Sequence, residues 1–395
     1  MILALNCGSS SVKFALFDAS LQARFRGYVE RLGTGLTPRM VVDGTERDLN
    51  RGFATHAQVI PHIIAEMVAL RAGLIGAVGH RVVHGGTVFG APVLIDADVR
   101  AQIASLAPLA PAHQLHNLAG IDAVTAALPG VPQVACFDTA FHRTIPEHRQ
   151  LLPVPQRFAD AGLRRFGFHG LSYEYVLARL RELAGVQAQG RVVICHLGNG
   201  CSLAGLVEGR SQYTSMGFTP LDGLIMGRRP GRLDPGAVLW LVEQHDGDWR
   251  AVARLLNEQS GLLGVSGMSP DMRTLLGSDE PRAKLAVDMF VDRLAQEIAA
   301  ACAAIGGVDH LVFTGGIGEH APAIRARTLA ALGWLGFELD ANRNDRDDQL
   351  ITREQSVPMA HVIATDEEFV LARAAASHLR EGIWNSPRYA ATGSE

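Results

Sequence analysis

Two short apolar runs separated by a polar turn occur twice in this chain, and that duplication limits the folds open to it more than any other feature. Ile2 to Leu5 and Val12 to Phe17 read as strands joined by Asn6-Cys7-Gly8-Ser9-Ser10-Ser11. Val192 to Leu197 and Ser202 to Val207 repeat the arrangement around Gly198-Asn199-Gly200. A repeated unit implies two domains, and 395 residues is longer than one average core usually supports. Further strands are expected at Ala77 to Val83, Val134 to Phe137 and His310 to Phe313. Helical patterns fall near 55–72, 97–107, 117–127, 172–184, 236–245, 249–258, 281–305 and 322–332. Strands alternating with helices predict an α/β protein. The last periodic segment runs from Glu367 to Leu379, and Ser386-Pro387 and 391–395 read as a frayed tail. No low-complexity linker is visible, so the repeated hairpin alone puts a domain boundary near 150.

Composition excludes several classes. Hydrophobic residues at 48% and charged residues at 19% describe a compact globular chain rather than a disordered one. A formal net charge of -4 offers no basic field for nucleic acid or an anionic membrane, so an anionic ligand must be met by local cations. The five cysteines form neither a disulfide framework nor a C-x-x-C pair, which predicts a reducing, cytoplasmic compartment. The N-terminus carries no secretory leader pattern, and no window approaches the roughly 20 apolar residues of a membrane span.

The polar segments carry the candidate chemistry. The first hairpin tip offers Gly8 for close backbone approach, hydroxyls at Ser9, Ser10 and Ser11, the Asn6 amide, and Lys13 on the outgoing strand. A plain turn reads equally well there, but the second tip around Asn199 strengthens a polyphosphate role. Neither tip is a G-x-x-x-x-G-K-[ST] loop, which disfavours an ordinary P-loop enzyme. Arg81 lies on an apolar strand that ends in Gly85-Gly86, where it needs an anionic ligand or an internal ion pair. Arg228, Arg229 and Arg232 share a Gly- and Pro-broken loop, read as an anion site or a solvated basic loop. Asp138 follows an apolar strand, the usual place for a functional carboxylate in an α/β sheet, with helix capping as the alternative. His169 sits between glycines. Asp366-Glu367-Glu368 opens a helix and serves metal ligation or the helix dipole equally. Thr314-Gly315-Gly316-Ile317-Gly318-Glu319-His320 reads as a glycine-rich turn contacting nucleotide.

Taken in order, Asn6 to Phe14, Gly79 to Gly86, Phe137 to His142, Gly167 to Gly170, His196 to Gly200, Ser215 to Pro220 and Phe313 to Glu319 resemble the acetate kinase family over nearly the whole chain. The resemblance implies two actin-like (ribonuclease H-like) domains with a nucleotide cleft between them: 1–149 with about 370–395, and 150–369. It implies reversible direct in-line phosphoryl transfer from ATP to acetate, with Mg2+, or Mn2+ in its place, and a homodimer assembled through the second domain. Arg81, Asp138, His169 and Arg229 resemble the catalytic set, His169 and Arg229 stabilising the transition state. Asn6 and Glu367, with Asp138 and neighbouring Glu368, resemble the metal side, and Ser9, Ser11 and Lys13 the phosphate path. His196, Leu197, Gly198, Asn199, Gly200, Asp271, Met272, Arg273, Gly315, Gly316, Ile317, Gly318 and His320 correspond to nucleotide contacts. Arg81, Val83, Ala112, His113, Phe168 and Pro220 correspond to the substrate side. Ala112 stands where leucine is common, which leaves room for a longer acid such as propionate. Tyr173, Tyr213, Arg228, Arg232, His320 and Gln114-Leu115 are further departures. A propionate or other short-chain carboxylate kinase keeps the same machinery, and an actin- or chaperone-type ATPase switch is the alternative of another class.

Overall fold

The computed structural model describes residues 1–47, 49, 52–69, 73–185 and 190–379. The segment expected to form a frayed tail therefore lies outside the described residues. The chain divides into two compact units, Met1–Ala140 together with the segment from Asp366 onward, and Phe141–Thr365.

The first unit is built on β1 (Ile2–Cys7), β2 (Ser11–Phe17), β3 (Ala23–Glu30), β4 (Arg39–Val42), β5 (Thr45–Arg47), β6 (Ala77–Val82), β7 (Val93–Leu94) and β8 (Gln133–Phe137), ordered β5-β4-β3-β2-β1-β6-β8-β7. Every residue of β1 is buried, as an apolar run covered on both faces requires. β1, β6 and β8 run parallel, while β1 to β5 form an antiparallel meander. Helices α1 (His56–Ala69) and α2 (Pro111–Ala127) pack together on one side, where Val59, Ile60 and Ile63 meet Leu3, Leu5, Phe14 and Leu16. The helix Glu367–His378 returns to β1 and β6, and it comes so near that a Cβ on Gly79 would stand 2.4 Å from the Leu371 carbonyl oxygen. α2 begins six residues before the apolar pattern does, because Pro111 at its first turn lacks the N–H that a helix start leaves unsatisfied.

In the second unit β9 (Arg191–Leu197), β10 (Cys201–Val207), β11 (Arg210–Thr214), β12 (His310–Thr314) and β13 (Met359–Val362) are ordered β11-β10-β9-β12-β13. This is the order β3-β2-β1-β6-β8 of the first unit, again a hairpin extended by an antiparallel strand on one side and parallel strands on the other. Both units thus carry the α/β, ribonuclease H-like arrangement expected of actin-like domains. Val176, Leu177 and Leu180 of the helix Gly170–Ala184 pack on Val192, Ile194 and Val312. The glycine-rich stretch expected to be a turn is itself a short helix, Gly315–His320, whose first N–H is held by the Glu319 carboxylate at 2.8 Å.

Candidate active site

In the first unit the parallel strands β1, β6 and β8 end together, and their C-terminal ends gather the polar side chains. Arg81 donates Nε to both oxygens of Asp138, at 3.0 and 3.2 Å, and Nη2 to Oδ2 at 2.6 Å. Its Nη1 donates to Asn6 Oδ1 at 3.1 Å, and Glu367 Oε2 lies 3.8 Å from Nε. Asn6 in turn donates Nδ2 to Glu367 Oε2 at 3.4 Å. The sequence left Arg81 between an anionic ligand and an internal pair, and the internal pair is present. Burial opposes the Arg81 charge, but Asp138 first and Glu367 next hold its pKa above the ordinary value. Glu368 is pushed up by burial and then by Glu367, with Lys13 pulling the other way.

The first hairpin tip is closed by Gly8 N–H donating to the Ser11 carbonyl at 2.8 Å, which leaves Ser9 and Ser11 on the turn and sets Lys13 opposite Asn6 in the ladder. His56 holds the same tip through Nε2 to the Gly8 carbonyl at 2.9 Å, and burial lowers its pKa. Beyond the ends of β1 and β6, the Asn117 amide takes the place of a peptide group. Val83 N–H donates to its Oδ1 at 3.0 Å, and its Nδ2 donates to the Cys7 carbonyl at 2.9 Å. Val83 is buried, and His113 lies on α2. The Ala112 side chain is outside the described residues. Gln114, one of the sequence departures, donates Nε2 to the carbonyls of His84 and Ile103 at 3.1 and 3.2 Å.

In the second unit His169 caps the helix Gly170–Ala184 from the left-handed region, at φ 59°. Such a backbone costs about 1–3 kcal/mol for a residue with a side chain and persists where its surroundings dictate it. The imidazole stacks on His196, centroids 4.3 Å apart, and its Nδ1 is 2.9 Å from Ser202 Oγ. Phe168, which precedes it in the chain, is buried. The second tip, Gly198-Asn199-Gly200, lies between β9 and β10, and a Cβ on Gly200 would stand 2.9 Å from Arg229 Nη2 and 3.2 Å from His169 Nε2. Both nitrogens therefore face the Gly200 backbone. Arg229 Nη1 donates to the Pro220 carbonyl at 2.7 Å, and no carboxylate pairs with Arg229 among the described residues. Burial lowers its pKa, with Cys201 partly offsetting the shift.

The loop around Arg229 is tied to the tip by Gly227 N–H donating to the Asn199 carbonyl at 3.3 Å. A Cβ on Gly227 would stand 3.0 Å from the Pro270 carbonyl, which puts the 271–273 segment against this loop. There Asp271 caps a short helix by accepting from Thr274 N–H at 3.0 Å, Met272 is buried and Arg273 is exposed. Gly315, at φ 75°, lies against the Leu197 carbonyl, which brings Gly315 to Gly318 to the end of β9. His320 stands 3.9 Å from Glu319 and 3.8 Å from Asp347. Arg228 is exposed and donates to the Glu258 carbonyl at 3.3 Å.

Sequence reasoning overlooked His56, Asn117 and Ser202, and it named Glu319 only as part of the glycine-rich segment. The one local signal was a polar residue, Asn117, amid an apolar helical pattern. As metal ligands, Asp138, Asn6 and Glu367 offer hard oxygens, and Mg2+ commonly uses one or two carboxylates when phosphate and water complete its shell.

The sequence profile of the Acetokinase family matches residues 1–373. A protein of Rhodopseudomonas palustris named acetate kinase is 45% identical over 386 residues, 94% of this chain and 97% of its own. One of Rhizobium meliloti with the same name is 46% identical over 382 residues, 94% and 96% of the two chains. Among solved structures, a propionate kinase from Francisella tularensis aligns with TM-score 0.90 at 37% identity, covering 95% of this chain and 99% of its own. An acetate kinase from Porphyromonas gingivalis aligns with TM-score 0.88 at 36% identity, covering 96% and 99%.

Proposed function

The chain belongs to the acetokinase family, and on that premise we propose that it transfers the γ-phosphoryl group of ATP reversibly to acetate, giving acetyl phosphate and ADP by direct in-line displacement. It is a phosphotransferase with a carboxyl group as acceptor. The observation that carries the reading is Arg229, a partly buried guanidinium with no carboxylate partner among the described residues, aimed with His169 at one glycine. A partly desolvated cation without a counter-charge calls for an anionic ligand.

Acetate is already ionised at neutral pH and needs no base, so the work left to the protein is positioning and charge. Arg81 holds the acceptor carboxylate, its orientation set by Asp138 and Asn6. Val83 and His113 of the first unit, and Phe168 and Pro220 of the second, are the candidates for acyl contacts. His169 and Arg229 donate to the equatorial oxygens, where charge builds in the transition state. Ser9, Ser11 and Lys13 line the phosphate path. His196 to Gly200, Asp271 to Arg273, Gly315 to Gly318 and His320 serve the nucleotide. Mg2+, or Mn2+, would be held by Glu367, Asn6 and Asp138 and would neutralise charge on the β- and γ-phosphates.

Trapping the acyl phosphate with hydroxylamine tests this reading. Wild type with acetate, ATP and Mg2+ yields hydroxamate, and Arg81→Ala loses about 100-fold or more in kcat. Nucleotide hydrolysis without hydroxamate from acetate, propionate or butyrate would refute it and favour an ATPase switch. The likeness to the Francisella propionate kinase supports propionate as a second acceptor, and a strong turnover preference for acetate removes that option.

The helix Pro235–Gln244 buries none of its residues, and Leu239 and Trp240 are 71% and 58% exposed. That apolar face supports a homodimer, which sedimentation as a monomer at working concentration would refute. Five buried free thiols suit the cytoplasm, and among the described residues no helix is long and apolar enough to cross a membrane.

A further inference from the structure

Tyr173, Ser202 and His169 form a buried hydrogen-bonded chain that the proposed reaction does not explain. Tyr173 Oη bonds to Ser202 Oγ, and Ser202 Oγ lies 2.9 Å from His169 Nδ1. Tyr173 and Ser202 are fully buried, so bulk water does not compete for their protons. A phenol is the more acidic of the two hydroxyls and the better donor, so Tyr173 donates and Ser202 accepts. The single Ser202 proton is then directed to the lone pair on Nδ1. A neutral imidazole whose Nδ1 accepts carries its own proton on Nε2. Nε2 is the nitrogen that, with Arg229 Nη2, faces the Gly200 backbone.

The other degrees of freedom of this ring are already taken. Its backbone is held at φ 59°, and its plane is fixed by the stack on His196. His196 is anchored separately, through Nδ1 at 2.8 Å from Ser172 Oγ, which donates to Thr365 Oγ1 at 2.8 Å. The tautomer of the His169 ring then depends on what its Nδ1 meets, and that group is the Ser202 hydroxyl. We infer that Tyr173 and Ser202 are positioning residues that hold His169 as its Nε2–H tautomer, so that a neutral ring offers a donor rather than a lone pair to a phosphoryl oxygen beside Arg229. No proton is transferred. The chain sets the direction of a hydrogen bond before the anion arrives, and the inference rests on the proposed binding of a phosphoryl group there.

The test uses full-length protein labelled with 15N-histidine and long-range proton–nitrogen correlation, His169 being assigned by the signal lost in His169→Gln. Wild type shows Nε2–H. Tyr173→Phe keeps the ring packing against Phe141 and His142 but lets the Ser202 hydroxyl turn. It shows a mixture of tautomers, with kcat about tenfold lower and KM for ATP and acetate within about twofold, because a donor acting in the transition state is lost from part of the population. Ser202→Ala gives the same pattern. An Nδ1–H ring in wild type, or a Tyr173→Phe protein with the pure Nε2–H tautomer and unchanged kcat, overturns the inference. Should Ser202→Ala fail to fold, wild type and Tyr173→Phe still decide. A wild type that makes no acyl phosphate refutes the proposed function instead, and its tautomer still decides the role of the hydroxyl chain.

Discussion

Replacing Arg232 with alanine should destabilise the second unit by about 2 kcal/mol, through a glutamate buried on a long helix. Glu297 is fully buried on the long helix Pro281–Ile305. Its Oε2 accepts from Tyr213 Oη at 3.0 Å, and its Oε1 lies 2.7 Å from Arg232 Nη2. That second approach is off the N–H direction, so it is a Coulombic contact rather than an aligned hydrogen bond. Burial and then the Glu297 charge push the Tyr213 phenol up to about 12, which keeps it a donor. Removing one partner of a fully buried pair costs about 3–5 kcal/mol. The Arg232 side chain is 57% exposed, so water screens its end of the pair and the cost falls to about 2 kcal/mol.

For a unit of this size that loss lowers Tm by roughly 4–8 °C, readable by calorimetry or urea titration. Glu297→Gln in the Arg232→Ala background should restore part of the loss, since a neutral amide needs no cation, and the double-mutant cycle should return about 1–2 kcal/mol of coupling. Arg293 independently holds the loop, donating to the carbonyls of Gly223 and Arg232 at 3.4 and 3.1 Å, so kcat should change by less than about threefold. An Arg232→Ala protein within about 0.5 kcal/mol of wild type, or a cycle with no coupling, would refute the argument.

His80, His84, His142 and His361 are buried, and burial pushes each pKa down from 6.5 to about 4. The unfolded chain takes up protons that the folded chain refuses, so the stability they confer is complete above about pH 6.5 and is lost as pH falls toward 4, at up to about 1.4 kcal/mol per pH unit for each ring. Urea midpoints should fall between pH 7 and pH 5, and a flat profile would contradict this. Gly200→Ala puts a methyl 2.9 Å from Arg229 Nη2 and 3.2 Å from His169 Nε2, and should cost about tenfold or more in kcat while the protein stays folded. A variant with wild-type turnover would show that these two donors do not meet the reacting group.

The two hairpins were legible because β1, β2, β9 and β10 are apolar runs cut off by glycine and serine, and burial on both faces leaves little freedom in how such runs fold. β3 was not. Its sequence ARFRGYVE buries only Val29 fully, so it is a strand chiefly because β2 offers it a partner. The glycine-rich stretch after β12 was identified as a site segment but not as a helix, since its closing bond comes from Glu319, four residues on.

By itself the sequence determined the α/β class, the duplicated hairpin, the family and the residue types available for chemistry, because these follow from local apolar pattern and from motifs of contiguous residues. Only the tertiary structure decided the partners. Asn117 spans Cys7 and Val83, Glu297 joins Tyr213 to Arg232, and Ser202 reaches both Tyr173 and His169. Hydrogen bonds and ion pairs act over about 3–4 Å in space, and chain position carries no such distance until the sheets have brought remote segments together.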